Sequence, residues 1–346
     1  MWLNHLRIAP TCYHVLHLIP VMIAHEMNFF ADEGLCNSDR SLAYDITPGG
    51  LVPFGLEKLG LAQGMKEKGI DIALDVLAVT VFYQRLKRSA DLHIIAGWRN
   101  QKTSVWVGAS GIRSLRDLKG KRLGIIDHGD IIYKGLRPWL RESGLDPEKD
   151  VEWVRGVYPT GGIPALRSGK VDAMSVSPWD AEQLRVEGYN ILLDFKEKYS
   201  RGHPDRVIVA TGAILKERPD RVKAFLKGML RAYWFIRDQP KNFEYVYQLE
   251  KRLRRQSPDP EERSARFASV SPRHLEYMPF PIDGLPTALD VILKEEHAAG
   301  EIDTLVNPEE ACQLDLMREA YEELSGRADL KEQYERVKAL SSRVGF

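Results

Sequence analysis

Apolar residues along this chain fall into two alternating rhythms. Short runs of β-formers, at Leu6–Ala9, Tyr44–Thr47, Ile70–Val76, Leu92–Trp98 and Ser104–Gly108, each end in a polar or glycine-containing turn. That pattern predicts buried strands. Between them the spacing changes to that of a helix, as at Leu16, Ile19, Ile23 and Met27, and again over Leu56–Lys68, which stops at Gly69 as a helix C-terminus does. The same alternation continues through the stretch LRDLKGKRLGIIDHGD, residues 115–130: a surface helical turn, a strand at Arg122–Ile126, a loop at Asp127-His128-Gly129-Asp130, and a helix through Tyr133–Glu142. A strand at Val151–Val154, a turn at Pro159–Gly162, a helix at Ile163–Ser168 and a strand at Ala173–Val176 follow, and Ser177-Pro178-Trp179-Asp180 opens another helix. Arg206–Gly212 reads as a returning strand and Pro219–Ile236 as a long amphipathic helix. The basic run Lys251–Arg255 reads as a solvated helix end, and two further helical patterns lie within Asp303–Phe346. Strands alternating with helices predict an α/β fold whose ligands sit beyond the carboxyl ends of the strands.

Four strings carry a family resemblance. They are Asp-Leu-Lys-Gly-Lys-Arg-Leu-Gly at Asp117–Gly124, Ala-Leu-Arg-Ser-Gly-Lys-Val-Asp-Ala at Ala165–Ala173, Ile-Ala-His-Glu-Met-Asn-Phe-Phe-Ala-Asp-Glu-Gly-Leu at Ile23–Leu35, and Gly-Ile-Asp-Ile-Ala at Gly69–Ala73. Over residues 6–237 the chain resembles the type II periplasmic-binding-protein fold, in the branch of sulfonate-, nitrate- and taurine-binding proteins and thiamine-pyrimidine synthases. The resemblance implies a two-lobed α/β fold with residues 1–103 and 205–300 in one lobe, 104–204 in the other, and a helical tail at 301–346. It also implies a small-molecule ligand in the interlobe cleft, and an ABC permease as partner if the protein is exported. A weaker similarity, Val151-Glu152-Trp153-Val154-Arg155-Gly156, is to the dihydroxyphthalate-decarboxylase branch of the fold. This keeps open a cytoplasmic decarboxylase or lyase of an aromatic acid. The thiamine-pyrimidine synthases carry a cysteine-rich iron motif that has no counterpart here, so that activity is not expected.

Composition narrows the picture. At 346 residues the chain exceeds what one core supports. Lys plus Arg and Asp plus Glu both number 49, so no global field favours nucleic acid. The three cysteines, Cys12, Cys36 and Cys312, form no metal-binding or redox spacing. Leu6–Ala9 reads as the first strand with no secretory leader before it, which makes a cytoplasmic protein the expectation. The alternative is a periplasmic or lipid-anchored protein whose leader has been removed.

The candidate chemistry clusters at strand ends. In the resembled family the first loop touches ligand, which nominates Thr11, Tyr13 and His14. Thr80, at a helix start, either caps its own helix or donates to ligand. Helix N-termini and glycines suit an anion, which nominates Thr160, Gly161 and Gly162 with Ser177, and Arg155 adds a cation. Trp98, Tyr133 and Trp179 offer aromatic area. The expected ligand is a small aromatic or heterocyclic carboxylate-like molecule. If the protein is an enzyme, His128 is the proton donor, Asp127 or Asp130 orients it, and His14 or His203 faces it. No cofactor is expected. A divalent metal at the Asp127-His128-Asp130 loop is left open, whereas His14, His17 and His25 share no clean ligating face. The helical tail is a packing segment or an oligomer contact.

Overall fold

Each end of the backbone path is built from alternating strands and helices, and the strands close into two separate sheets. The computed structural model describes residues 5–11, 15–37, 41–47, 57–99, 104–128, 131–157, 162–198, 203–204, 206–238, 241–257, 285–298, 300 and 302–342. Its strands are β1 (Leu6–Pro10), β2 (Tyr44–Ile46), β3 (Ile72–Leu77), β4 (Leu92–Arg99), β5 (Val105–Gly108), β6 (Arg122–Gly124), β7 (Glu152–Val154), β8 (Ala173–Val176), β9 (Asn190–Asp194) and β10 (Arg206–Thr211). Two units result, Met1–Gln101 with His203–Phe346, and Lys102–Gly202.

The sheet of the first unit runs β2-β1-β3-β10-β4, and that of the second runs β7-β6-β8-β5-β9. The two orders are equivalent. In each, the first parallel strand lies between the second and third, and one antiparallel strand lies between the third and the fourth. Of the antiparallel members, β5 brings the chain into the second unit and β10 brings it back to the first. β1, β2, β3, β6, β7 and β8 each lead through a helix to the next strand of the same sheet, which makes the pairs β1–β2, β1–β3, β6–β7 and β6–β8 parallel. The carboxyl ends of the parallel strands therefore share one edge in each unit.

The first unit buries its sheet under two apolar clusters. One contains Ile8, Leu74, Ile208 and the helix Pro219–Arg237, whose Phe225, Met229 and Tyr233 are buried. The other contains Ala73, Val207, Phe82 from the helix Ala78–Arg88, and Leu289 and Leu293 from the helix Leu285–Ala298. The C-terminal helices Asp315–Ser325 and Lys331–Ser342 join the first cluster through Met317, Leu324 and Val337. Trp234 packs edge-on against Tyr321, while Arg336 forks onto Asp238 at 2.9 and 2.8 Å. The basic run at Lys251–Arg255 is a helix end with Lys251, Arg252 and Arg255 exposed, but one of its cations turns inward. It closes the helix Phe243–Gln256, where Leu253 and Arg254 are buried and Arg254 pairs with Glu250 one turn earlier at 2.7 Å. Charge alone does not show that one side of such a helix faces a core.

The second unit packs Trp106, Leu123, Leu136 and Phe195 on one side of its sheet and Val107, Met174, Val176 and Leu184 on the other. The helical turn ahead of β6 is a 3-10 turn, Leu115–Leu118, closed by a capping box between Ser114 and Asp117. Among the described residues, no helix is long and apolar enough to cross a membrane.

Candidate functional site

In the first unit the strand-end edge is organised by Asp75. Val207 pairs with Val76 and Val209 with Ala73, so Leu74 and Asp75 together oppose Ile208 alone, which makes a β-bulge. Asp75 takes the left-handed conformation, φ 56°, at a cost on the order of 1 kcal/mol or more for a non-glycine residue. Its carbonyl accepts hydrogen bonds from Thr11 Oγ1 at 2.9 Å and Arg206 Nη1 at 3.0 Å. Its carboxylate lies 3.4 Å from the same Nη1, with the Asp75 side chain fully buried and that of Arg206 11% exposed. Asp75 and Arg206 escaped the sequence reading, although an aspartate inside an apolar strand is itself a signal, because a buried charge needs a partner.

The same edge collects other candidates. Thr11 is fully buried and committed to the Asp75 carbonyl. Thr80 lies in the first turn of the helix Ala78–Arg88, but its hydroxyl does not cap that helix. It is fully buried, with no hydrogen-bond partner among the described residues. Trp98, expected to stack on a ligand, is only 2% exposed. Its ring meets Tyr233 edge-to-face at 6.2 Å, and the Tyr233 hydroxyl donates to the Trp98 carbonyl at 3.1 Å. Burial, with Asp75 nearby, pushes the Tyr233 phenol well above its usual range. His203 belongs to this unit and sits buried against Glu295, Nε2 to Oε2 at 3.3 Å.

In the second unit β6 and β7 stay zipped beyond their ends. Ile125 N donates to Val154 O, and Gly156 N to Ile126 O, with Gly156 turning at φ 76° where a side chain would be strained. This pairing places the two following side chains beside each other, and Arg155 donates to Asp127. Asp127 is therefore held by a guanidinium. His128 is exposed, its ring edge-on to Tyr133 at 4.8 Å, and Tyr133 in turn packs on Trp153 at 4.8 Å and bonds Glu148 at 3.1 Å. Burial is the main cause that raises the Tyr133 phenol. At the end of β8, Ser177 caps the helix Pro178–Val186, accepting from Asp180 N at 3.1 Å and donating to Asp180 Oδ2 at 2.7 Å. Burial raises the Asp180 carboxyl, and the Ser177 bonds only partly offset that. Gly162 is buried ahead of the short helix Ile163–Arg167, its carbonyl accepting from Ala165 N at 2.8 Å.

Tyr13, His14, Asp130, Thr160 and Gly161 lie outside the described residues, as does the side chain of Trp179. Among the described residues, no group of three or more His, Cys, Asp or Glu side chains could hold a metal ion. Cys36 and Cys312 are free thiols, and burial pushes that of Cys312 up to about 12.

Two sheets of equivalent order, each with one antiparallel strand at the crossing between units and polar side chains at the parallel strand ends, define a type II periplasmic-binding-protein-like fold. A family model described as NMT1/THI5 like matches residues 16–243, and the chain belongs to that family. The nitrate/nitrite binding protein NrtA of Nostoc sp. is 22% identical over 233 residues, 62% of this chain and 50% of that protein. The chain spans half or less of the length of the curated relatives it matches. The solved periplasmic nitrate-binding protein NrtA from Synechocystis PCC 6803 superposes with a TM-score of 0.66 at 15% identity, over 97% of this chain and 98% of that one. The periplasmic aliphatic sulphonate binding protein SsuA from Escherichia coli gives 0.62 at 16%, over 90% and 92%. The expectation of a cytoplasmic protein is overturned by this company, since both solved neighbours are periplasmic. That expectation rested on the first few residues, and the likeness rests on the fold.

Proposed function

We propose that the protein is the solute-binding component of an ABC-type importer, working in the periplasm and taking a small aromatic or heterocyclic carboxylate-like ligand. The observation that carries this reading is the family match over a fold whose strand ends present an exposed cation, Arg155. The names of similar proteins support the coarser part, solute binding for import. The exposed Arg155 guanidinium and the partly exposed Trp153 support the finer part, the aromatic acid. Thr11, Thr80, Gly162 and Ser177 lie on the same strand ends. Thr11 and Ser177 act there through the residues they hold in place.

A thermal-shift screen tests the reading. A solute at 100 times its dissociation constant raises stability by about 2.7 kcal/mol. Aromatic acids are expected to raise the melting temperature, with pyrimidines, sulfonates and nitrate as the comparison set, and no response to any of them would sink a solute-binding role. The best acid is then incubated with the protein and followed by mass spectrometry. Unchanged acid is the expected result, and loss of carbon dioxide that disappears in His128→Ala would make the protein a decarboxylase instead. His128 is exposed and Arg155 donates to Asp127, an arrangement that suits a binding loop.

A further inference from the structure

Away from the strand ends, the first unit holds a cleft of about 150 Å³ between the helix Ala78–Arg88 and the segment that follows the helix Leu285–Ala298. Tyr83, Leu86 and Lys87, spaced so that they share one helix face, line one wall, and Ile302, Asp303 and Thr304 line the other. Lys87 lies nine residues beyond Ala78, so the cleft stands roughly 13 Å along the helix from the strand-end edge where that helix begins. The second wall is fixed by bonds that do not cross the cleft. His297 Nδ1 donates to the Ile302 carbonyl at 2.9 Å, Arg85 Nη2 to the Glu310 carbonyl at 3.0 Å, and Gln313 N to Ile94 O in β4 at 2.8 Å. Ile302 is buried and Leu86 exposed, so apolar surface runs from floor to rim. A cavity of this volume takes about one benzene, which is the size of a branched aliphatic or single-ring side chain.

Charge decides the rest. Lys87 and Asp303 face each other from opposite walls at 2.5 Å, with 46% and 71% of their side chains exposed. The hydrogen bond and charge of Asp303 raise the Lys87 ammonium above its ordinary value. An ion pair this exposed contributes little to stability and opens readily. A lone anion that approaches Lys87 meets the repulsion of Asp303, and a lone cation that approaches Asp303 meets that of Lys87. A molecule with an ammonium and a carboxylate on one carbon meets neither obstacle. Each of its charges faces the opposite charge on a wall, so one ion pair is exchanged for two.

We propose that this cleft is a binding site for a small zwitterion of the α-amino-acid class with an apolar side chain, held by Lys87 through its carboxylate, by Asp303 through its ammonium, and by Leu86 and Ile302 through its side chain. The site is separate from the strand ends and does not depend on the importer reading.

Amide NMR of the whole chain, titrated with L-leucine, tests it. The comparison probes are 4-methylpentanoate, which lacks the ammonium, and 3-methylbutylamine, which lacks the carboxylate. L-Leucine should saturate shifts of the Leu86, Lys87, Asp303 and Thr304 amides with a midpoint on the order of 10 mM or below, and each single-charge analogue should need at least about tenfold more. Lys87→Met and Asp303→Asn should each weaken L-leucine at least about tenfold, and Thr304→Trp, which fills the cleft from an exposed position, should abolish the response. All three side chains are exposed, so circular dichroism of the variants should match the wild type. Should a variant lose its fold, the three-probe comparison in the wild type decides alone. Shifts confined to the strand ends, an analogue that binds as tightly as L-leucine, equal responses in wild type and variants, or no response at all would each overturn the proposal.

Discussion

Gly228 is where the long helix Pro219–Arg237 meets the short helix Phe29–Asp32. A Cβ there would stand 2.3 Å from Phe30 Cδ1 and 3.2 Å from the Phe30 backbone. Phe30 is itself pinned between Tyr44 and Phe225, with ring centroids at 4.9 and 5.6 Å, so the ring has nowhere to go. Gly228→Ala should therefore destabilise by about 1–3 kcal/mol despite its better helix propensity, read as a lower urea midpoint with unchanged slope. Glu33 shows a different single-residue effect. Its side chain is 2% exposed and meets Lys227 at 3.0 Å and Arg231 at 2.8 Å, with Arg327 completing the ring of cations. Burial raises its pKa, but the hydrogen bond and charge of Lys227, with Arg327 and Arg231, outweigh it and hold the carboxyl below its ordinary 4.5. A depressed carboxyl contributes stability above the unfolded value and loses it as pH falls through the folded one. Stability should thus hold at neutral pH and decline once pH drops below about 4.5, the ordinary value. Glu33→Gln should lose about 3 kcal/mol at pH 7, and its melting temperature should depend less on pH in that acid window. An equally steep acid decline in the variant would show that other carboxylates govern it.

At the scale of elements, the helix Lys331–Ser342 is held by an aromatic wedge as much as by charge. Tyr334 stands 5.5 Å from Trp234 and shares a 2.8 Å hydrogen bond with the Tyr321 hydroxyl. Charge adds the Arg336 fork on Asp238 and, for the preceding helix, Lys223 between Glu319 and Glu323, both at 2.9 Å. Tyr334→Ala is expected to cost about 3 kcal/mol if the gap does not close, and to shift the emission of the nearly buried Trp234 to longer wavelength. Emission that stays put would mean the wedge does not shield the indole. In contrast, Asp127→Ala breaks an ion pair whose partners are both largely in solvent, so stability should move by less than about 1 kcal/mol. Its readout is solute affinity, since Arg155 is then released.

Over the whole molecule, the two units hold separate apolar clusters, which is why a single cooperative transition is not the expectation. Hydrogen exchange in rising urea should report different midpoints for sheet amides of β3 and β8. Coincident midpoints would argue that the units unfold as one. The helices after residue 300 belong to the core of the first unit, so stability there includes the C-terminal segment.

Much of this architecture is written locally. Runs such as Ala173–Val176 and Leu92–Trp98, and the long helix from Pro219, declare themselves because strand and helix periods are properties of neighbouring residues. The polar stops after β1, β6 and β8 likewise point to strand ends as the places for chemistry. What each side chain does there depends on residues far away in sequence, and only the tertiary structure decides it. Thr11 bonds across 64 positions to a carbonyl turned by a bulge, Arg206 reaches back 131 positions to the same carbonyl, and Trp98 is sealed by Tyr233 from a helix 135 positions on. The bulge at Asp75 has no local signature in Leu-Asp-Val, because it arises from the mismatch between two antiparallel strands that meet only when the chain returns from the second unit. Sequence determined which residues line the strand ends. Packing decided which of them are buried and paired, like Arg206, and which, like Arg155, stay exposed.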